Sequence, residues 1–191
     1  MGITQILTAF GLSASAGLNA YIPLLLIALL ARFTNVIALT PPYDMLTNEW
    51  VIGALIVLLA IETLADKIPG VDHVNDFIQT FIRPTAGAIL FAANTNVLRD
   101  VNPIVPLVAG LVIAGSVHAT KATARPVVNV ATLGVGAPVV STIEDVLALG
   151  TSILAIFVPF AMLLVLLLFL FVAYMLYSSR RARQQRSRQT V

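Results

Sequence analysis

The chain contains no cysteine, which excludes disulfides, thiolate metal sites and cysteine nucleophiles. It has two histidines and one tryptophan in 191 residues, so imidazole chemistry is confined to His73 and His118. Charge is scarce as well. Only 10% of residues are Asp, Glu, Lys or Arg, where a soluble domain carries about a quarter. Familiar catalytic signatures are missing: no G-x-S-x-G elbow, no H-E-x-x-H and no phosphate-binding glycine loop. The composition therefore reads as a protein that is not an enzyme, and no cofactor or metal is called for.

What fills the chain instead is apolar sequence. Hydrophobic residues make up 59% and mean hydropathy is +0.96, values that point to lipid rather than water. The net charge of +2 does not indicate nucleic acid. Five of the 11 basic residues, Arg180, Arg181, Arg183, Arg186 and Arg188, stand together after the last apolar run. There they read as an anchor facing anionic lipid. The expected class is an all-α integral membrane protein with about four transmembrane helices, re-entrant or interfacial half-helices and amphipathic helices. Residues 1–178 form one multi-pass domain, and 179–191 a basic cytoplasmic tail without regular structure. Ala14-Ser15-Ala16 mimics a signal cleavage site, but no basic residue precedes it and the apolar run continues to Leu30.

Residues 3–33 are apolar around a small, polar patch, SASAGLN (13–19). A single helix would be about 45 Å long, more than the roughly 30 Å of a bilayer core. The alternative is a break near Gly17 and a second helix from Tyr21, with Asn19 at depth and in need of a partner. Residues 34–49 hold Pro41-Pro42 and neither Lys nor Arg, as an extracytoplasmic loop would. A second span runs from about Trp50 to Lys67 and ends at Pro69-Gly70. Residues 71–83 then place Val71, Val74, Phe77, Ile78, Phe81 and Ile82 on one stripe and Asp72, Asp76, Gln79 and Arg83 on the other. That pattern predicts an amphipathic helix lying in the interface or packed over the spans.

After Arg83-Pro84, TAGAILFAA is too short to cross alone and reads as re-entrant or interfacial. A polar connection, Asn94 to Asn102, precedes a third span of about Ile104–Thr123. That span is rich in Ala, Gly and Ser, which suits a central, closely packed helix. Arg125-Pro126 opens another short apolar piece, Pro138 an amphipathic helix carrying Glu144 and Asp145. The last span, about Ile153–Tyr177, has no charged residue and reads as lipid-facing. The two Arg-Pro steps suggest two related halves with interrupted helices, as transporters often have. Basic residues are absent from 34–49 and recur in 67–99, at Lys121 and Arg125, and in the tail. That distribution predicts both termini in the cytoplasm.

Four runs, GLNAYIPLL (17–25), ADKIPGVDHVNDFIQTFIRPTAGA (65–88), HATKATARPVVN (118–129) and PVVSTIED (138–145), resemble the bacterial membrane family called domain of unknown function 4126. The resemblance covers about residues 3–150 and departs from the family pattern at Ala137, where Asn often stands. It implies a small multi-pass protein of the bacterial cytoplasmic membrane and brings no activity with it.

Several residues are candidates for chemistry, each with a plainer alternative. Glu62 and Asp66 share a helix face and read either as a cation or proton site or as interfacial carboxylates, Asp66 beside Lys67. His118 and Lys121 read as a headgroup or proton-relay site paired with Glu62 or Asp66, or as a structural ion pair between spans. Arg83 and Arg125 would start half-helices or clamp phosphate, or snorkel to headgroups. Asp72, His73 and Asp76 are metal-ligand residue types, with Asp72 and Asp76 on one face and His73 on another, and with Glu144 and Asp145 they form a secondary polar set whose plain reading is a solvated face. The leading expectation is a transporter- or channel-like protein with Asn19, Glu62, Asp66, His118 and Lys121 around a pocket for a small ion, metabolite or lipid headgroup. The alternative is a non-transporting scaffold or accessory subunit whose buried charges are structural. Its partners would be the bilayer and a second copy in a homodimer, with no nucleic acid.

Overall fold

Six α-helices, one 3-10 turn and a further helical run over 161–168 lie among the described residues of the structure, a computed structural model that describes residues 2–66, 71–94, 102–131, 136–168, 170, 171 and 175. In order the first seven are α1 (Gly2–Leu18), α2 (Tyr21–Phe33), the 3-10 turn (Tyr43–Thr47), α3 (Glu49–Ala65), α4 (Val71–Asn94), α5 (Ile104–Ala131) and α6 (Ala137–Phe157). No strand occurs among the described residues. Two helices, over Ile104–Ala124 and Pro138–Phe157, are long and apolar enough to cross a bilayer.

The centre of the bundle is α1. Its second half, Ala9 to Gly17, is mostly Ala, Gly and Ser, and Ala9, Leu12, Ser13, Ser15 and Ala16 are fully buried. Small residues let neighbours approach, and hydroxyls bond the neighbours' carbonyls. Thr8 Oγ1 donates to Ala155 O (2.8 Å), Ser13 Oγ to Gly87 O (2.9 Å) and Ser15 Oγ to Ala148 O (2.7 Å). These bonds set α1 antiparallel to α6 and dock it on α4. Polar interhelical bonds of this kind are worth about 0.6 kcal/mol on average in membrane bundles. Ser15→Ala, which also loses the 2.7 Å contact to Ser152 Oγ, is expected to lower stability by roughly 0.5–1.5 kcal/mol, readable as a small fall in thermal midpoint.

The first apolar stretch is two helices, broken where the small patch places the break. The free amides at the start of α2 are met by Asn19, whose Oδ1 accepts from Tyr21 N (3.0 Å) and Ile22 N (3.1 Å). This is helix N-capping by the residue type that does it best. At the other side of the break, Lys121 Nζ donates to Leu18 O (3.0 Å), so the carbonyl end of α1 meets a cation. The stretch therefore turns back rather than crossing once. Gln5 and Thr8 of α1 line one cavity with Val36, Ile37 and Ala38 beyond α2. The start of α1 and the loop after α2 lie at the same end of the bundle, so of the two alternatives for 3–33 the break near Gly17 is the one observed.

Two expected breaks are not there. The amphipathic stretch 71–83 and the short apolar stretch after it form one helix, with Pro84 in its interior. Likewise α5 continues through Pro126 to Ala131, so neither Arg-Pro step opens a half-helix. The supposed repeat does not mark interrupted helices. A proline removes one helix hydrogen bond and crowds one carbonyl; the packed neighbours along α4 outweigh that penalty. The stretch from Pro138 also merges with the beginning of the expected last span, since α6 runs to Phe157. Pro159 follows, the chain turns over 158–160, and 161–168 is helical again. That final run is not wholly outward-facing, because Met162 is fully buried against Gly11.

The expected centrality of α5 holds on one face. Pro106, Gly110, Ala114, His118 and Lys121 recur at spacings of four and three and are all buried, antiparallel to α4. Opposite them, Ile104, Val105, Val108, Leu111 and Val112 are exposed. The orientation of α4 corrects the expectation most sharply. Gln79 and Arg83 point inward, whereas Val74, Phe77, Ile78 and Phe81 are 49–69% exposed. Water would impose the reverse.

Candidate functional site

Four helices and one interhelical break bring polar side chains to one end of the bundle: the α1–α2 break (Asn19), the end of α3 (Glu62, Asp66), the first half of α4, the second half of α5 and the first turns of α6. Arg83 is the hub. Its side chain is 0% exposed and Glu62 is 1% exposed, and Arg83 Nη2 donates to Glu62 Oε1 at 2.9 Å. Nη2 also lies 3.9 Å from Asp66 Oδ2, and Nη1 lies 3.9 Å from Asp76 Oδ1.

On its other branch, Arg83 Nη1 lies 3.1 Å from His118 Nδ1. A guanidinium has no acceptor, so Nδ1 accepts and the ring proton sits on Nε2. His118 Nε2 is 3.1 Å from Thr80 Oγ1, and the Thr80 hydroxyl donates in turn to Asp76 O (2.8 Å). The imidazole is thus held by donors and acceptors of one consistent sense.

Lys121 forms the second node. Its Nζ is 2.9 Å from Glu144 Oε2 and 3.9 Å from Asp66 Oδ2. Asp66 joins the two nodes, and its Oδ1 accepts from Asn75 Nδ2 at 2.8 Å. Ser141 Oγ stands 3.5 Å from Asp66 Oδ2. A third contact closes the α1–α6 seam: Asn19 Nδ2 donates to Asp145 Oδ1 at 2.9 Å. Asn19 therefore satisfies both ends of its amide, as its depth requires. Asn19→Leu is expected to cost about 1–3 kcal/mol, seen as a lower thermal midpoint that Asn19→Asp does not restore, because a second carboxylate would face Asp145.

The expected pocket residues are thus brought together; the expected Lys121–Asp66 contact is present at 3.9 Å, but the closest pairings are others. Glu62 binds Arg83 rather than Lys121 or His118, and the nearest carboxylate to Lys121 is Glu144. Asp66 is buried. Arg83, expected at a half-helix start or snorkelling to headgroups, is the most deeply buried charge among the described residues. Asp76, Glu144 and Asp145, expected in a separate secondary set, belong to the same network. The side chains of Asp72, His73 and Arg125, and Lys67, lie outside the described residues; the backbone at 125 is within α5. No group of three or more metal-ligating side chains is formed among the described residues.

Sequence reasoning missed Asn75, Thr80 and Ser141, and did not single out Gln79. Gln79 is 2% exposed and neighbours the Tyr21 phenol. Its signal was its place four residues before Arg83 on one helix face. Three atoms in this network, Glu62 Oε2, Gln79 Oε1 and Arg83 Nε, are buried without a hydrogen-bond partner.

Three of the cavities lined by described residues lie away from Glu62, Asp66, Arg83, His118 and Lys121. One, of about 350 Å³, is an apolar groove between α2, α3 and α6 with Asp145 at its edge.

Together these features define an all-helical bundle with a charged interior and an apolar exterior. The chain belongs to the family described as Domain of unknown function (DUF4126), whose model matches residues 6–179. No curated protein and no solved structure matches it.

Proposed function

We propose that the chain is a multi-pass protein of the cytoplasmic membrane whose charged centre is a structural lock, in the role of a non-transporting scaffold or accessory subunit. The membrane assignment is supported by inverted polarity. Arg83, Gln79, Glu62, Asn19 and four serines are buried to 1–2% exposure or less, while Trp50, Phe77, Phe81, Leu111, Val112 and Leu164 are exposed. In water that arrangement would forfeit about 25 cal/mol for every Å² of apolar surface left outside; in lipid it is the favourable one. Trp50, at the first turn of α3, suits an interfacial aromatic.

The observation that carries the scaffold reading is closure. Arg83 and Glu62 are a buried, direct pair at 2.9 Å, and Lys121 is spent on Glu144 and the end of α1. A translocation path predicts these groups on the wall of a cavity. Helices tied by paired charges give rigidity and register instead. The test is Glu62→Gln and Lys121→Met in purified protein and in proteoliposomes. Both variants are expected to melt lower, with no ion or solute flux in parent or variants. Flux through the parent that both variants abolish would overturn the scaffold role.

One observation favours the second reading, a transporter- or channel-like protein. A purely structural network seldom leaves buried polar atoms unpaired, yet Glu62 Oε2, Gln79 Oε1 and Arg83 Nε are so. A ligand that raises the thermal midpoint of the parent but of neither variant would support it, since only native-state binding stabilises.

A further inference from the structure

The groove between α2, α3 and α6 takes no part in the Arg83–Glu62 pair. Ile22, Leu25, Leu26 and Leu29 recur along one face of α2, and Leu59 of α3 and Leu149 of α6 join them in its lining. The groove holds about 350 Å³ and is open on one side, where Val146 and Leu149 are 65% and 45% exposed. From Ile22 to Leu29 it follows the helix for about 10 Å. At about 30 Å³ for each water-sized group it has room for roughly twelve, one alkyl chain rather than the two of a bilayer lipid.

Asp145 is the only polar side chain among the described residues that line this groove. It stands at the end where α2 begins. Its Oδ1 accepts from Asn19 Nδ2 at 2.9 Å, and Asn19 in turn caps Tyr21 N and Ile22 N. Asn19 is a neutral donor, so this bond holds the carboxylate in place without cancelling its charge. A carboxylate has room for further donors. Lys121 Nζ lies 2.9 Å from the adjacent carboxylate, Glu144 Oε2.

A linear apolar groove with a carboxylate at one end matches one class of ligand in both shape and charge. We propose that it binds a single-chain amphiphile with a cationic amine head, the ammonium on Asp145 and the chain along Leu25, Leu26 and Leu29. Beside apolar walls an ammonium and a carboxylate attract several times more strongly than in water, whereas an anionic head would meet like charge. The chain itself adds little selectivity, because lipid tails are as apolar as the leucines that line the groove. Recognition therefore lies in the head.

The inference goes beyond the scaffold role and stands whether the Arg83–Glu62 pair is a lock or a pathway. It is tested by photo-crosslinking of the full chain in phosphatidylcholine nanodiscs, with dodecylammonium carrying a mid-chain diazirine as the probe. Adducts mapped by peptide mass spectrometry are expected on Leu25, Leu26, Leu29 and Leu149, several-fold above those on Phe77 and Phe81, which are exposed on α4. Excess dodecylammonium should suppress them; dodecanol, dodecyl sulfate and phosphatidylethanolamine should not. Asp145→Asn keeps an acceptor for Asn19 and should weaken labelling roughly tenfold, the value of a hydrogen bond to a charged group. Val146→Trp fills the groove from its open side and should abolish labelling, while Val139→Trp, at an equally exposed position outside the lining, leaves it unchanged. Thermal midpoints measured alongside identify the folded variants. Adducts spread equally over α2 and α4, equal suppression by dodecanol, dodecyl sulfate or phosphatidylethanolamine, or undiminished labelling of folded Asp145→Asn or Val146→Trp would each overturn the assignment.

Discussion

Replacing Arg83 with Met is expected to destabilise the protein by about 3–5 kcal/mol, the typical result of removing one partner from a buried ion pair. For a chain of this size each kcal/mol moves the thermal midpoint by about 2–4 °C, so a fall of roughly 6–20 °C should be seen. The size of the effect comes from what is left behind. Glu62, 1% exposed, would keep its carboxylate among apolar helices without its 2.9 Å donor. His118 Nδ1 would lose its donor at the same time. The reverse variant, Glu62→Met, leaves the guanidinium with Asp66 and Asp76 at 3.9 Å, and should lose less. The informative member is the double variant Arg83→Met/Glu62→Met. It removes both charges and should be more stable than Arg83→Met alone, because paired burial is neutral or better when both charges become apolar. Thermal unfolding of the four proteins of the cycle is the measurement. Additive losses would mean that the two residues do not act as a pair.

Gly110→Leu is expected to have the next largest effect, and glycines elsewhere in the chain supply its controls. A Cβ at Gly110 would lie 2.2 Å from Gly87 O and 2.6 Å from Phe91 Cβ. One at Gly87 would lie 2.3 Å from Ala114 Cβ and 2.8 Å from Gly110 O. Backbone atoms of a neighbouring helix cannot rotate aside, so α4 and α5 would have to separate along their whole contact. Overpacking of a core typically costs about 1–3 kcal/mol; a leucine set against backbone should reach the top of that range, with Gly110→Ala nearer the bottom. At Gly53 nothing lies within 4 Å, and at Gly115 the nearest atom is Pro84 Cγ at 3.7 Å. Gly53→Ala and Gly115→Ala should therefore leave stability unchanged or slightly higher, since alanine favours helix by up to about 1 kcal/mol. Thermal midpoints of the four variants should fall in that order. Equal effects at Gly53 and Gly110 would contradict the α4–α5 packing.

Features with a local physical cause were legible in the sequence. The break before Tyr21 could be read because Gly17 and Asn19 interrupt an apolar run too long for one span, and a buried Asn must be satisfied. The packing face of α5 could be read because Gly110 and Ala114 are small and one turn apart, with His118 and Lys121 continuing the row. What could not be read was set by neighbours. Pro84 and Pro126 look like helix stops in isolation, but tertiary packing carries both helices through. The stripe of Val74, Phe77, Ile78 and Phe81 has the same periodicity whether it faces a core or lipid; only the partners on its polar side decide, and those come from α3 and α5. For the same reason Arg83 looked like a terminus residue. Its carboxylate partner stands 21 positions away, and no spacing rule pairs Arg83 with Glu62 rather than Glu62 with Lys121.

The inverted orientation of α4 underlies both the membrane assignment and the lock, and the absence of cysteine makes it directly measurable. Single cysteines at 74–82, spin-labelled in protein reconstituted into bilayers, report collisions with oxygen, which concentrates in lipid, and with a water-soluble nickel chelate. Labels at Val74→Cys, Phe77→Cys, Ile78→Cys and Phe81→Cys should be open to oxygen and shielded from nickel, with a helical period. Labels at Gln79→Cys should be shielded from both. Nickel access at Phe77→Cys and Phe81→Cys would place that face in water and contradict the account.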